Sequence, residues 1–150
     1  MPTQIPKALK LEHEELHAEL VEATKAGGKV GEAAKKVAKV LHDHFRKEEE
    51  FALPPIGLLS VLYRGEVDEH MKSVLAMTDR LKAELPVMIE EHNAVIAALE
   101  NLIVAAEAEN KPDYARFAKK LMLHAQTEEE VLYPAAILVG DYLKLKLDVK

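Results

Sequence analysis

The sequence predicts an all-α protein: a single domain, residues 1–150, built as an antiparallel four-helix bundle. An extra helical segment is expected between the second and third helices, and a tail at the C-terminus. Three observations lead there. Among 150 residues, Ala and Leu number 21 each beside 20 Glu and 16 Lys, all good helix formers. Apolar residues recur at steps of three and four along most of the chain, and no pair of alternating runs is joined by turn signals. The two halves of the chain also resemble each other at offsets of 79 and 80, which makes each half one structural unit.

The elements follow in order. Pro6 suits a first helical turn, and Leu9, His13, Leu16 and Leu20 follow at helical spacing until Gly27-Gly28 ends the helix. A second helix, starting near Gly31, carries Ala34, Val37, Leu41, His44 and Glu48 on one stripe. Pro54-Pro55 stops it, because proline lacks the N–H and clashes with the preceding turn. Residues 56–65 are short and apolar, and read as a connector packed on the bundle. From about Val67 to Glu109 the period is helical again, with Val74, Met77, Leu81, Leu85, Met88, His92, Val95, Leu99 and Leu102 in phase. An unbroken helix of that length would reach about 60 Å, so a break or kink is expected near Pro86. Asn110 to Asp113 reads as a loop with a cap signal. The last main helix places Phe117, Leu121, His124 and Glu128 on its stripe and is expected to stop at Pro134. The tail, 135–150, is amphipathic and is expected to pack outside.

Composition removes several function classes. The chain has no Cys, so disulfide scaffolds, thiol nucleophiles and Cys-ligated metals are excluded for it. A formal charge of −6 argues against nucleic acid as the main partner. No apolar run is long enough to span a membrane, and a cytoplasmic protein is the expectation. Seven histidines remain to be explained in a chain whose other polar residues are mostly Glu and Lys.

The repeat explains most of them. HFRKEEEFALP (44–54) and HAQTEEEVLYP (124–134) share His, three Glu and the terminal Pro at an offset of 80. LEHEELHAEL (11–20) lies against EEHNAVIAAL (90–99) at an offset of 79, pairing His13 with His92. Each half is a helix with one inward His followed by a helix with His-x-x-x-Glu. Residues four apart project from one helix face, so His44 with Glu48, and His124 with Glu128, aim an imidazole and a carboxylate at one point. Imidazole nitrogen and carboxylate oxygen form the ligand set of non-haem iron, manganese or zinc, and both Glu have the reach to bridge two metals. A lone His-x-x-x-Glu is usually a surface pair. Four inward His matched across a repeat are not, because burying them with two carboxylates and no metal costs several kcal/mol.

The motifs resemble the hemerythrin-like, or HHE cation-binding, family. The matching residues are His13, His44-Phe45-x-x-Glu48-Glu49 leading to Pro54, His92, and His124-x-x-x-Glu128-Glu129-x-x-x-Tyr133-Pro134. The resemblance covers nearly the whole chain and implies an up-down bundle around a non-haem di-iron centre. It also implies a protein that binds O2 or senses oxygen, nitric oxide, peroxide or iron. Carried over, His13 and His44 would hold one iron and His92 and His124 the other, with Glu48 and Glu128 bridging. The chain departs from the oxygen-transport members at Ile96, where they carry a second His on the third helix, and at Glu128 and Glu129 in place of their Asp. His17, four residues after His13, offers a fifth imidazole, so the candidate ligands are His13, His17, His44, Glu48, His92, His124 and Glu128.

Two rival readings use the same residues. His13-Glu14-Glu15-Leu16-His17 has the form HExxH of zinc hydrolases, but Glu15 stands between the histidines and no strand is available to hold a peptide. A di-metal oxidase or peroxidase would use the same pocket as a binding protein. His42 points about 200° away from His44 around the helix and His70 lies in the insertion, so both are expected outside the site. Glu49, Glu50 and their counterparts 129 and 130 are expected at the surface or behind the ligands. Tyr133 and Tyr63 could donate near the site, but a packing role is the expectation for both.

Overall fold

The structure, a computed structural model, describes residues 4–149. Four long helices carry it: α1 (Lys7–Thr24), α2 (Gly28–Lys47), α4 (Leu75–Ala108) and α5 (Pro112–Thr127). Between α2 and α4 lie a 3-10 turn (Pro54–Leu58), the short α3 (Leu59–Leu62) and a second 3-10 turn (Glu69–Val74). No strand occurs among the described residues. α1 packs on α2 and α5, and α4 packs on α2 and α5, so the four close into a ring. The tight α1–α2 and α4–α5 connections make those neighbours antiparallel.

Both connections are built from local chemistry. Gly27 and Gly28 take positive φ, 72° and 58°, a region open to glycine without steric cost. α2 therefore begins at Gly28, three residues before the sequence suggested. Its exposed amide donors are met from the far end of α4, where the Glu109 carboxylate accepts from Val30 N at 3.0 Å and Lys29 N at 3.3 Å. A side chain at Gly28 would collide with that carboxylate. At the other turn, Asn110 (φ 55°) ends α4, with Lys111 N bonding Ala106 O and Asn110 N bonding Glu107 O. This is the Schellman arrangement. Asp113 gives no cap; it pairs with Arg116 instead.

Neither Pro86 nor Pro134 ends the helical run it was expected to interrupt. α4 runs through Pro86 without a break. Pro86 lies on an exposed face, where water can satisfy the carbonyl its missing N–H leaves free, while Leu81 and Met88 on either side are buried in one cluster. Nor does the chain stop at Pro134. A π-turn (Glu128–Leu132) leads directly into α6 (Tyr133–Lys146), with Pro134 in its first turn, where a missing donor costs nothing. The same device follows α2: a π-turn at Glu48–Ala52 precedes Pro54. The C-terminal segment is thus a docked helix. Val139 and Leu143 are buried against Leu62, Met71, Val74 and Leu75.

Apolar residues form one core toward the two tight turns, including Leu20, Val37, Leu99 and Leu121. A second core lies at the opposite end, with Phe51, Leu81, Met88 and Tyr133. Along every long helix the histidine stands between them: Leu9–His13–Leu16, Leu41–His44–Phe51, Met88–His92–Val95 and Leu121–His124–Tyr133. The site is therefore a polar layer sealed above and below by packed hydrocarbon.

α6 reaches α4 through Gly140, where a side chain would run into Thr78. Overpacking such a contact costs roughly 1–3 kcal/mol. Gly140→Val should lower the unfolding free energy by that amount in urea titrations, whereas Leu138→Ala, at an exposed position of the same helix, should change it by less than about 0.5 kcal/mol.

Candidate metal centre

Six of the seven candidate ligands meet. His13, His44, Glu48, His92, His124 and Glu128 are all buried. Ligand atoms of His44, Glu48, His92 and Glu128 lie within 4.8 Å of one another, and so do those of His13, His124 and Glu128. Glu128 belongs to both groups. His17 belongs to neither: the buried stripe of α1 steps through 13, 16, 20 and 23 and leaves position 17 exposed at its edge. With His17 outside, the HExxH reading loses its second ligand. His42 and His70 are exposed, as expected.

The imidazoles turn their Nε2 atoms inward. His124 Nε2 is 3.1 Å and His92 Nε2 3.2 Å from Glu128, and His44 Nε2 is 3.4 Å from Glu48. Three of the outward Nδ1 atoms meet carboxylates: His44 on Glu91 at 3.0 Å, His92 on Glu129 at 2.9 Å, and His124 on Glu12. A ligating histidine is commonly held in this way, because a carboxylate on Nδ1 fixes the ring and keeps the Nε2 lone pair free. Among the described residues, His13 Nδ1 and Glu48 Oε1 are the buried side-chain polar atoms with no hydrogen-bond partner. An unpaired carboxylate oxygen in a layer sealed from water is costly. A cation between the Nε2 atoms and the two Glu would satisfy it, so the residues present fit a metal.

A model of the hemerythrin HHE cation binding domain matches residues 4–136. The chain belongs to the hemerythrin HHE cation-binding family. No curated protein and no solved structure matches it.

Within this hemerythrin-family site the histidines divide differently from the carried-over ligand sets. The close pairs are His13 with His124, Nε2 to Nε2 at 3.0 Å, and His44 with His92, ring centroids 4.5 Å apart. Each pair takes one histidine from each half of the chain. The repeat, which matches 13 with 92 and 44 with 124, is compatible with either division; the packing of the side chains selects this one.

Three contributors escaped the sequence reading in whole or part. Glu12 and Glu91 precede the repeated His13 and His92, so their pairing across the repeat was a usable signal. Glu129 fulfils the expectation of a group behind a ligand. Tyr133 does more than pack: its hydroxyl donates to Glu48 Oε2 at 2.5 Å and sits 3.2 Å from both His44 Nε2 and His92 Nε2. The repeat could not show this, because the matching position is Leu53. The π-turn makes it possible. Tyr133 is five residues past Glu128, about 140° away on an α-helix, but the turn closes through Tyr133 N to Glu128 O and brings both onto one face.

Without metal the layer must hold protons. Burial opposes charge on His44, but Glu48, Glu91 and Glu128 outweigh it and raise the imidazole to about 9. His124 rises to about 9 against burial through Glu128, Glu48 and Glu12. Glu48 is pushed up to about 7 by burial and then by the Glu128 charge. Burial favours the neutral form of Glu128 too, but Glu48 and the imidazoles of His124, His13 and His92 hold it well below its ordinary value. Burial and the neighbouring carboxylates push Tyr133 strongly up, keeping the phenol protonated.

These shifts set the sign of the pH dependence. Folded His44, His124 and Glu48 bind protons more tightly than the unfolded chain, so their contribution is full at low pH. That contribution is lost as pH rises through about 7 for Glu48 and about 9 for the two imidazoles. Glu128 acts oppositely, and only below its ordinary carboxyl range. The melting temperature of the chelator-treated chain, followed by circular dichroism, should fall steadily from about pH 6 to pH 9. A flat or rising profile would contradict the proton assignments.

Proposed function

We propose that this chain holds two non-haem iron ions between α1, α2, α4 and α5 and uses them to bind or sense O2, nitric oxide or peroxide. The observation that carries the reading is the arrangement of four Nε2 atoms and two carboxylates around one buried layer, with three outer carboxylates behind the rings. His44, His92 and Glu48 would hold one ion, His13 and His124 the other, and Glu128, shared by both groups, would bridge with Glu48. The family supports iron; the same ligands suit manganese or zinc. When bound, the metals supply an electron source and a coordination position for a small molecule. The protein fixes the imidazole tautomers, excludes bulk water and keeps the Tyr133 proton beside Glu48. No helix among the described residues is long and apolar enough to cross a membrane, and we place the protein in the cytoplasm with a diatomic or peroxide ligand as its partner.

The Tyr133 hydroxyl favours a second reading, a peroxidase or oxidase. A phenol within reach of Glu48, His44 and His92 is placed to give a proton to a reacting oxygen.

Metal analysis of anaerobically purified protein should find about two irons per chain, with an absorption change on admitting air. Glu48→Gln and Glu128→Gln should each lose metal while the chain remains folded. The melting temperature of the parent, unlike that of the variants, should drop on chelation by several degrees. Full metal content in both variants would remove the bridging role. Tyr133→Phe should keep its metal, and if the peroxidase reading holds, peroxide turnover should fall by about 10²-fold.

A further inference from the structure

Three of the four ligand histidines carry a carboxylate on Nδ1; His13 does not. By the repeat, its partner should be Glu49, the counterpart of Glu129. Glu49 is exposed and makes no hydrogen bond or ion pair among the described residues. Beside the His13 ring, the α1–α2 interface opens into a cavity of about 480 Å³ that His13 helps to line. Leu20, Ala38, Leu41 and Phe45 form apolar walls, and Lys10 and Arg46 lie at the mouth with Glu14 and Glu49. Phe45 stacks on the His13 ring, centroids 4.4 Å apart. Its counterpart in the other half is Ala125.

We infer that this cavity is a binding site for a small organic carboxylate with an apolar body, whose carboxylate takes the fourth Nδ1 position, on His13. The vacancy has the chemistry of the three that are filled, a ring N–H awaiting an anionic acceptor. The apolar walls accept the body, and a cavity of this size takes a ligand of on the order of ten heavy atoms. The mouth supplies two cations: Lys10 has no ion pair among the described residues, and Arg46 has only a 3.9 Å contact to exposed Asp43. Nδ1 is closed to bulk water, so binding must open the edge of the His13 ring to the cavity. The hydrogen bond is then made in a water-poor site, where it is strongest. The inference rests on the metal reading at one point: a metal on Nε2 leaves the ring proton on Nδ1. A ligand there would touch the metal centre through one shared imidazole.

Calorimetric titration of octanoate and octanamide into the chain as purified, with metal measured in the same samples, tests this. Octanoate should saturate one site per chain and bind about tenfold or more tighter than octanamide, the scale of one charge-assisted hydrogen bond. Ala38→Phe fills the cavity from a half-buried wall position. It should weaken octanoate by about tenfold or more with metal content unchanged, and Arg46→Gln should weaken it by a smaller factor. No saturable binding up to about 10 mM octanoate, or equal binding of acid and amide, overturns the inference; a full metal complement in those samples leaves the metal reading standing. Octanoate binding that first arises in Glu49→Gln would make Glu49 the fourth carboxylate and overturn it likewise. Metal-free samples that bind octanoate in an Ala38→Phe-sensitive way support the cavity site and remove the metal reading instead.

Discussion

Four imidazoles and two carboxylates share one water-poor layer in the middle of a helical bundle, and the rest of the molecule is arranged around the cost of that fact. Unpaired charge in such a place is worth several kcal/mol against folding. The chain meets most of this cost with neighbouring groups and leaves Glu48 Oε1 and His13 Nδ1 without a hydrogen-bond partner among the described residues. Outer carboxylates from Glu12, Glu91 and Glu129 stand behind three rings, Tyr133 donates to Glu48, and Glu128 gathers three imidazoles. The hydrocarbon on either side is what makes the layer dry, and dryness is what makes every one of those contacts strong.

The pairing of halves gives the centre its economy and its asymmetry together. Repeated sequence supplies two copies of one helix pair, and their packing interleaves the histidines so that neither half holds a complete ligand group. The copies then diverge at three places: Tyr133 against Leu53, Phe45 against Ala125, and an engaged Glu129 against an exposed Glu49. All three concentrate the difference on the two ends of the layer. The His44–His92 end is closed by a phenol, and the His13 end borders a cavity.

Much of this was legible from residue order alone. The four buried histidines and both buried glutamates lie on stripes of period 3.6, and the offsets of 79 and 80 identify them as a set. Helical spacing could not decide His17, because position i+4 from a buried residue is either inside or at the edge depending on which way the stripe drifts. Here it drifts through Leu16 and Leu20. Proline misled twice for one reason. At Pro86 and Pro134 the local rule is sound, but exposed backbone in one case and a preceding π-turn in the other remove the penalty it assumes. The partition of the histidines was invisible because it belongs to packing between halves, which no single helix encodes.

The π-turns have a consequence beyond their placement of Tyr133. Each is a one-residue surplus inside an otherwise regular helix, so the segment after it is turned by about 100° relative to a plain continuation. They act as clutches between two lengths of rod. Upstream of Glu128 the helix is phased to the ligands, and downstream of Tyr133 it is phased to α4 and the insertion. The C-terminal helix can therefore drift in sequence under its own packing demands without rotating the metal layer. The same freedom follows α2, where the matching clutch releases the chain into the insertion rather than into another long helix.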